Sequence, residues 1–161
     1  MKSKKRSKLP KHYTAKLSRK DKKKQERAIS KSKRSYKKGK YYTRPKMKSF
    51  KEKKSSWTQK FHKLYPEAKT LKQIEKVTGI PKKALMAVKK KGMGAYYSSG
   101  SRPNQTAHSW GRARLASAIT GGKSSQIDYH ILKKSCKKGS KALRLANRSK
   151  YKKGIRRVAK T

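Results

Sequence analysis

Side chains with the reactivity needed for catalysis concentrate between Gly92 and Ile131. The stretch holds two histidines, one aspartate, two tyrosines and a serine: His108, His130, Asp128, Tyr96, Tyr97 and Ser101. A histidine paired with an aspartate could move protons, but the stretch offers no second carboxylate for two-metal chemistry and no cluster with metal-ligand spacing. We therefore expect no enzymatic activity, no metal, no cofactor and no small-molecule substrate, and we interpret the histidines as hydrogen-bonded structural residues.

Basic residues dominate the remainder of the chain. The 161 residues include 52 Lys and Arg against 6 Asp and Glu, which gives a formal net charge of +46. A compact monomer of this charge repels itself in dilute salt, so a polyanionic or acidic partner is implied. Only 31% of the residues are hydrophobic, against about 45–50% in ordinary globular proteins, so the core must be small. Cys136 is the single cysteine, which excludes an intrachain disulfide and indicates a reducing compartment.

The run TLKQIEKVTGIPKKALMAVKKKG at residues 70–92 has the spacing of a helix-turn-helix. Leu71, Ile74 and Val77 would share the inner face of the first helix. The second helix, Pro81 to Lys90, would enter a DNA major groove and contact phosphates through its lysines: Lys82, Lys83, Lys89 and Lys90. Because its exposed face has no Arg, Asn or Gln to pair with a base edge, such binding would be weakly sequence-specific. An αα-hairpin that packs on the following helix explains the same spacing and is the simpler interpretation.

The first 54 residues are predicted to form a basic arm with one helix. Ser18 is a suitable N-cap, Asp21 lies in the first turn, and Gly39 closes the segment, so the pattern predicts a helix over residues 18–38. Apolar residues are few in this helix. We therefore expect a cationic rod that becomes ordered only against a partner.

Aromatic residues alternate with basic ones between Lys40 and Lys54. Such a strip could stack on nucleic-acid bases or anchor in the grooves of a protein partner, and the sequence does not separate the two. An extended arm with aromatic anchors is the preferred interpretation. Together with tyrosines and arginines of the 92–131 stretch, these residues form the predicted partner-binding set: Tyr41, Tyr42, Arg44, Phe50, Tyr96, Tyr97, Arg102, Arg112 and Arg114.

The fold class predicted from these patterns is mainly α: a small helical domain over residues 55–132 with long basic arms. Its parts are a short helix from Ser55 or Ser56, the helix pair, a glycine-rich loop over residues 92–105, a helix after Thr106 and a helix capped by Ser125. Residues 133–161 return to a basic tail. The predicted core residues are Trp57, Phe61, Leu71, Ile74, Leu85, Val88, Trp110, Leu115, Ile119 and Ile131.

Three short runs carry a family resemblance: GAYYSSGSRPNQT, SWGRARLAS and ITGGK. With the basic segments and the helix pair before them, they resemble a family of small, strongly basic proteins of large nucleocytoplasmic DNA viruses of algae and amoebae. The resemblance covers about Lys11 to Leu132. It transfers no functional residue, but it implies a viral origin, and the basic composition favours a virion component.

The function expected on these grounds is that of a non-enzymatic virion structural protein. It would be a minor capsid or internal cementing component on the inner side of the capsid shell, and its arms would bind larger capsid proteins or other virion proteins with acidic surfaces. Viral DNA and the anionic surface of an inner membrane are further expected partners. The alternatives are a non-specific viral DNA-condensing protein and a ribosomal-type RNA-binding protein.

Overall fold

The computed structural model describes residues 9–150. Over this range the protein is mainly helical and contains no β-strand, which confirms the predicted fold class. After a 3₁₀ turn, eight α-helices follow: α1 Arg19–Lys37, α2 Ser56–Leu64, α3 Leu71–Thr78, α4 Lys82–Ser98, α5 Ala107–Ile119, α6 Lys123–Ile127, α7 Tyr129–Ser135 and α8 Lys141–Lys150. None of the helices in the described range is long and apolar enough to cross a bilayer.

The described residues divide into two compact units. Unit 1 comprises residues 9–52 and 95–106, and unit 2 comprises residues 53–94 and 107–150. This grouping differs from the predicted arm, domain and tail, because the N-terminal segment folds together with the loop that follows α4. Helix α4 begins in unit 2, and its last turn, from Ala95, belongs to unit 1.

Helix α1 is the main element of unit 1 and lies within one residue of the predicted bounds. The Ser18 hydroxyl accepts a hydrogen bond from the Asp21 amide at 3.2 Å, as predicted for the N-cap. One face of the helix is buried within the unit: Gln25, Ala28, Ile29 and Ser32. The apolar side chains of Ala28 and Ile29 pack inside the unit, and the buried Gln25 and Ser32 donate to backbone carbonyls there. The expectation that α1 becomes ordered only against a partner stays a prediction.

The segment after α1 has no regular secondary structure but is tied down at two points. Asp21 accepts from the Ser49 amide at 2.9 Å and from its hydroxyl at 2.7 Å. Asn104, in the left-handed region at φ 58°, accepts from the Met47 amide at 2.7 Å and donates to its carbonyl at 3.2 Å. These bonds hold the segment against unit 1 in place of a free arm.

Unit 2 contains a helical core to which all its helices except α6 contribute buried apolar side chains. Of the predicted core residues, six are buried and three are partly buried against this core, whereas Trp110 is half-buried outside it. The six are Phe61, Ile74, Leu85, Val88, Leu115 and Ile119, and the three are Trp57, Leu71 and Ile131. Helix α8, which falls in the predicted basic tail, contributes Ala142 and Ala146 to the same core.

Helix α4 does not end at Lys90 as predicted but continues to Ser98, so the expected glycine-rich loop begins later. The glycine at position 92 serves a close contact instead of a turn: a Cβ there would lie 2.7 Å from the Gly111 Cα of α5. Two helices that approach so closely require glycine at the crossing.

Two further expectations in unit 2 are corrected. Val77 is 43% exposed, because α3 buries Ile74 and Thr78 instead of a face that includes Val77. The helix predicted from Ser125 is two short helices that meet at Asp128, and Ile127 at the end of the first is 38% exposed.

Candidate nucleic-acid interface

One face of α1 presents a row of cationic side chains. Lys20, Lys23, Lys24, Arg27 and Lys31 recur three or four residues apart, which places them on the same side of the helix. The buried residues of α1 occupy a different face. The row spans about 16 Å along the helix axis, at 1.5 Å per residue. Sequence reasoning named none of these five residues, although their spacing was visible as a helical period.

The cationic row forms one wall of a groove of about 500 Å³ within unit 1. The opposite wall comes from the segment after α1 and presents Tyr42 and Pro45. The Lys31 ammonium lies 4.5 Å from the centre of the Tyr42 ring, a distance at which the ring face attracts the cation. None of the described residues that line the groove carries a carboxylate. The groove therefore combines positive charge with an apolar floor.

A second groove of about 510 Å³ adjoins the first at Lys31, towards the C-terminal end of α1. The two share Lys31, and the second is lined by Lys31, Arg34, Ser35, Lys37, Lys38 and Lys40. Its lining also lacks an acidic side chain among the residues that the structure describes. The two grooves together form a cationic strip that is longer than a single ion-binding pocket.

The two acidic residues of α1, Asp21 and Glu26, do not line either groove. Hydrogen bonds from Ser49 hold the pKa of Asp21 below its ordinary value. Glu26 lies about 120° around the helix from the centre of the cationic row, at 100° per residue. The charges of Lys20 and Lys24 also contribute to the lowered pKa of Asp21, so this carboxylate acts on part of the cationic row, whereas Glu26 faces away from it.

Buried Arg44 fixes the wall that carries Tyr42 and Pro45. Its guanidinium donates to the Tyr96 carbonyl at 2.7 Å, to the Ser101 hydroxyl at 2.6 Å and to the Ser32 hydroxyl at 3.2 Å, and it lies 3.7 Å from the centre of the Tyr96 ring. Burial lowers the pKa of Arg44. The ion pairs of the described residues do not include Arg44, so neutral acceptors and the aromatic face hold its charge.

The structure distributes the predicted partner-binding residues over three environments. Tyr41, Arg102 and Arg112 are exposed, and Tyr42, Phe50 and Tyr97 are half-buried. Arg44 and Tyr96 are interior residues, and Arg114 is partly buried in an ion pair. The last three are thereby corrected, because their side chains stabilise the units from within and do not present a surface to a partner.

The α3–α4 hairpin has the predicted spacing, but the N-terminus of its second helix, α4, is poorly suited to phosphate binding. Of its four predicted phosphate contacts, Lys82, Lys83 and Lys90 are exposed and Lys89 is half-buried. The Glu75 carboxylate accepts from the Lys82 amide at 2.9 Å, so an acid already occupies the N-terminus of α4. Lys89 also packs beside Gly111 of α5. This geometry favours the packing hairpin over a DNA-reading helix.

The reactive residue types do not assemble into a catalytic arrangement. Asp128 is fully buried and accepts from the Arg114 guanidinium at 2.8 Å through each of its oxygens. Lys91 lies 3.4 Å from the same carboxylate, whereas His108 and His130 are exposed. The described residues contain no group of three or more His, Cys, Asp and Glu side chains that could hold a metal ion. Asp128 therefore serves as the anion of an interior ion pair.

Comparison with known proteins gives a family without an assigned activity. No curated protein and no solved structure matches the chain. Residues 10–134 match the family described as "Family of unknown function (DUF5824)". This match begins in the 3₁₀ turn region, includes α1 to α6 and ends within α7. Since it covers most of the chain, the protein belongs to this family of unknown function, DUF5824.

Proposed function

We propose that this protein is a non-enzymatic nucleic-acid-binding protein that holds a sugar–phosphate backbone along α1. The observation that carries the proposal is the cationic strip of unit 1, in which lysines and arginines line two grooves that share Lys31, with no acidic side chain among the described lining residues. A phosphate backbone is a line of regularly spaced negative charges, and it fits an elongated cationic groove better than a single anion does.

The expected binding is strong at low salt and largely independent of sequence. Phosphate contacts release counterions, so affinity falls steeply as salt rises. Most cations of the strip are lysines, which bind phosphate as point charges and lack the planar fork of arginine, so contacts to the backbone are expected to outweigh base readout. The net charge of +46 would also accelerate association with any polyanion.

The α1 strip can be separated experimentally from the general charge of the chain. A groove variant replaces Lys20, Lys24, Arg27 and Lys31 by alanine, and a matched variant replaces Lys82, Lys83, Lys89 and Lys90. Both lower the net charge by the same amount, and alanine is compatible with either helix. Fluorescence anisotropy with a labelled single-stranded oligonucleotide at several salt concentrations measures the affinity and its salt dependence.

The groove variant is expected to lose far more affinity than the matched variant. If four phosphate contacts disappear, the slope of log K against log salt falls by about 3 for a single strand, at about 0.7 per contact. The α4 variant should change the slope by less than half as much. Equal losses in the two variants would show that binding follows net charge alone and would overturn the proposal. Circular dichroism of both variants checks that the helices remain folded.

A virion cementing role stays a second proposal, supported by the basic composition and by the resemblance to viral proteins. Gentle disruption of virions separates the two roles. A cementing protein should remain with the capsid shell, whereas a nucleic-acid-binding protein should remain with the genome core.

The ribosomal-type alternative predicts that the protein prefers RNA to DNA. The fluorescence anisotropy assay described above measures this preference.

A further inference from the structure

Three tyrosines of unit 1 form an aromatic cluster near the end of α1. The rings of Tyr36 and Tyr97 are stacked, with centres 5.8 Å apart and planes 12° apart. Tyr41 contacts both, at 5.0 Å from Tyr97 and 6.1 Å from Tyr36. The three rings thus form one continuous aromatic surface contributed by α1, the segment after it and the last turn of α4.

This aromatic surface remains open to solvent. Tyr41 is 73% exposed, and Tyr36 and Tyr97 are half-buried. An exposed ring contributes little to folding through burial, since most of its apolar area stays in water. Burial within unit 1 therefore explains the positions of Tyr36 and Tyr97. It does not explain the position of Tyr41, whose ring contacts both of them but stays exposed to solvent.

Buried residues hold the aromatic cluster in place. Tyr97 meets the buried Tyr96 edge-to-face, with centres 5.0 Å apart, and Tyr96 in turn lies against the Arg44 guanidinium. The Ser32 hydroxyl donates to the Tyr97 carbonyl at 3.2 Å. A surface fixed in this way requires little ordering when it binds a ligand, which favours affinity.

Cations border the aromatic surface. A turn closed by two hydrogen bonds, from the Gly39 amide to the Tyr36 carbonyl and from the Lys40 amide to the Ser35 carbonyl, brings the two ends of the turn together. Lys37, Lys38 and Lys40 of the second groove belong to this turn or lie beside it in the chain. Aromatic rings and phosphate-binding cations are therefore next to one another.

We propose that Tyr36, Tyr41 and Tyr97 form a stacking site for an unpaired nucleic-acid base, so that the protein prefers single strands to duplexes. The inference rests on the proposed function, because it assumes that the neighbouring cations hold the backbone. Bases in a duplex are stacked on one another and cannot cover a protein ring, whereas a single strand can place a base on Tyr41. Stacking on aromatic side chains tolerates any base, so sequence preference stays small.

The test compares two single strands of equal length, one of thymidines and one of abasic sugar–phosphate units. Both carry the same phosphates, and only the first has bases. The full-length protein, its Tyr41→Ala variant and its Tyr41→Phe variant are titrated with each strand and with a duplex. The thymidine strand is expected to bind wild-type protein about tenfold more tightly than the abasic strand, a typical contribution of one stacked base.

The variants locate that preference. Tyr41→Ala should bring the affinity for the thymidine strand down towards that for the abasic strand, and Tyr41→Phe should retain the preference because it keeps the ring. Equal binding of both strands by wild-type protein would overturn the stacking site while leaving the groove intact. Binding of neither strand would overturn the proposed function itself. A strand carrying 5-iodouracil gives an independent measurement: crosslinks to Tyr36, Tyr41 or Tyr97 support the site, and crosslinks confined to other residues contradict it.

Discussion

Helices α1 and α4 are both rich in lysine, but the structure uses their charges differently. The cations of α1 line an open groove from which carboxylates are absent among the described residues. The cations of α4 are less available to a polyanion. Glu75 places a negative charge at the first turn of the helix, Asp128 pairs with Lys91, and α5 packs beside Lys89. The density of lysine along the chain is therefore a poor guide to where a polyanion binds.

The difference arises from where the few acids lie. The chain has only 6 Asp and Glu, so each one that meets a cation changes the local potential strongly. Two of them, Glu75 and Asp128, contact α4. On α1, Asp21 is bound to Ser49 and Glu26 lies off the cationic face. Two helices that are both rich in lysine therefore differ in where the acids lie relative to their cations.

The largest effect is expected from removing the Asp128 carboxylate. Asp128→Asn leaves Arg114 partly buried without a counter-ion and releases Lys91 of α4, and we expect a loss of about 3–5 kcal/mol in the free energy of unfolding. Urea denaturation followed by circular dichroism measures it. Adding Arg114→Met to the same variant should recover part of the loss. A loss below about 1 kcal/mol would show that the pair is not an interior constraint on α4.

A smaller loss is expected from Gly111→Ala on α5. The new Cβ would lie 2.8 Å from the Lys89 carbonyl oxygen of α4, and backbone cannot move away as easily as a side chain. We expect a net destabilisation of about 1–3 kcal/mol from overpacking. Helix propensity alone would give the opposite sign, since alanine is favoured over glycine by about 1 kcal/mol. Higher stability in urea denaturation would therefore show that α4 and α5 are not held at this close crossing.

A modest gain in nucleic-acid affinity is expected from Glu75→Gln. The amide keeps an acceptor for the Lys82 amide but removes the negative charge at the start of α4. We expect affinity for a single strand to rise by about twofold to fivefold at low salt, the size of a charge effect at a helix end, and less at high salt. Glu67→Gln is the matched charge control in an exposed position. An equal gain in both variants would show that the position of Glu75 at the start of α4 has no specific effect on binding.

The smallest effect concerns Asp21 on α1. The Ser49 hydroxyl and amide lower the pKa of this carboxyl from 3.8, so their stabilisation is present above the unfolded pKa and is lost as the pH falls through the folded value. Ser49→Ala should raise the pKa of Asp21 towards its ordinary value, as measured by the carboxyl carbon chemical shift in an NMR titration. An unchanged pKa would indicate that the Ser49 hydroxyl does not engage Asp21 in solution.

Local signals predicted most of the helices. These signals act between residues that are close in the chain. Helices α1 and α5 begin directly after Ser18 and Thr106, and α3 ends directly before Gly79 in the turn of the helix pair. The cationic face of α1 is also implicit in its spacing, although it was overlooked. What spacing could not give was the groove, because its second wall comes from a segment without periodicity that Arg44 holds in place.

Failures of prediction have a common physical origin in contacts between distant parts of the chain. Gly92 looked like a loop residue because glycine often serves turns, but here its missing Cβ serves a helix crossing. Residues 141–150 looked like a tail because of their charge, yet Ala142 and Ala146 complete a core. Arg44 was predicted to contact a partner at the surface. In the structure its guanidinium is buried, lies against a tyrosine ring and donates hydrogen bonds to three neutral oxygens.

The sequence by itself determined the helical class, the caps and the excess of positive charge, because each depends on residue type and near neighbours. Only the tertiary structure decided which cations face an open groove, which are neutralised by an acid, and which tyrosines meet in one exposed cluster. Those outcomes depend on distances between residues far apart in the chain, because ring stacking needs centroids within about 7 Å and attraction between exposed charges is screened over roughly 10 Å in 0.1 M salt. Function in this protein is therefore expected to follow the placement of its charges more closely than their number.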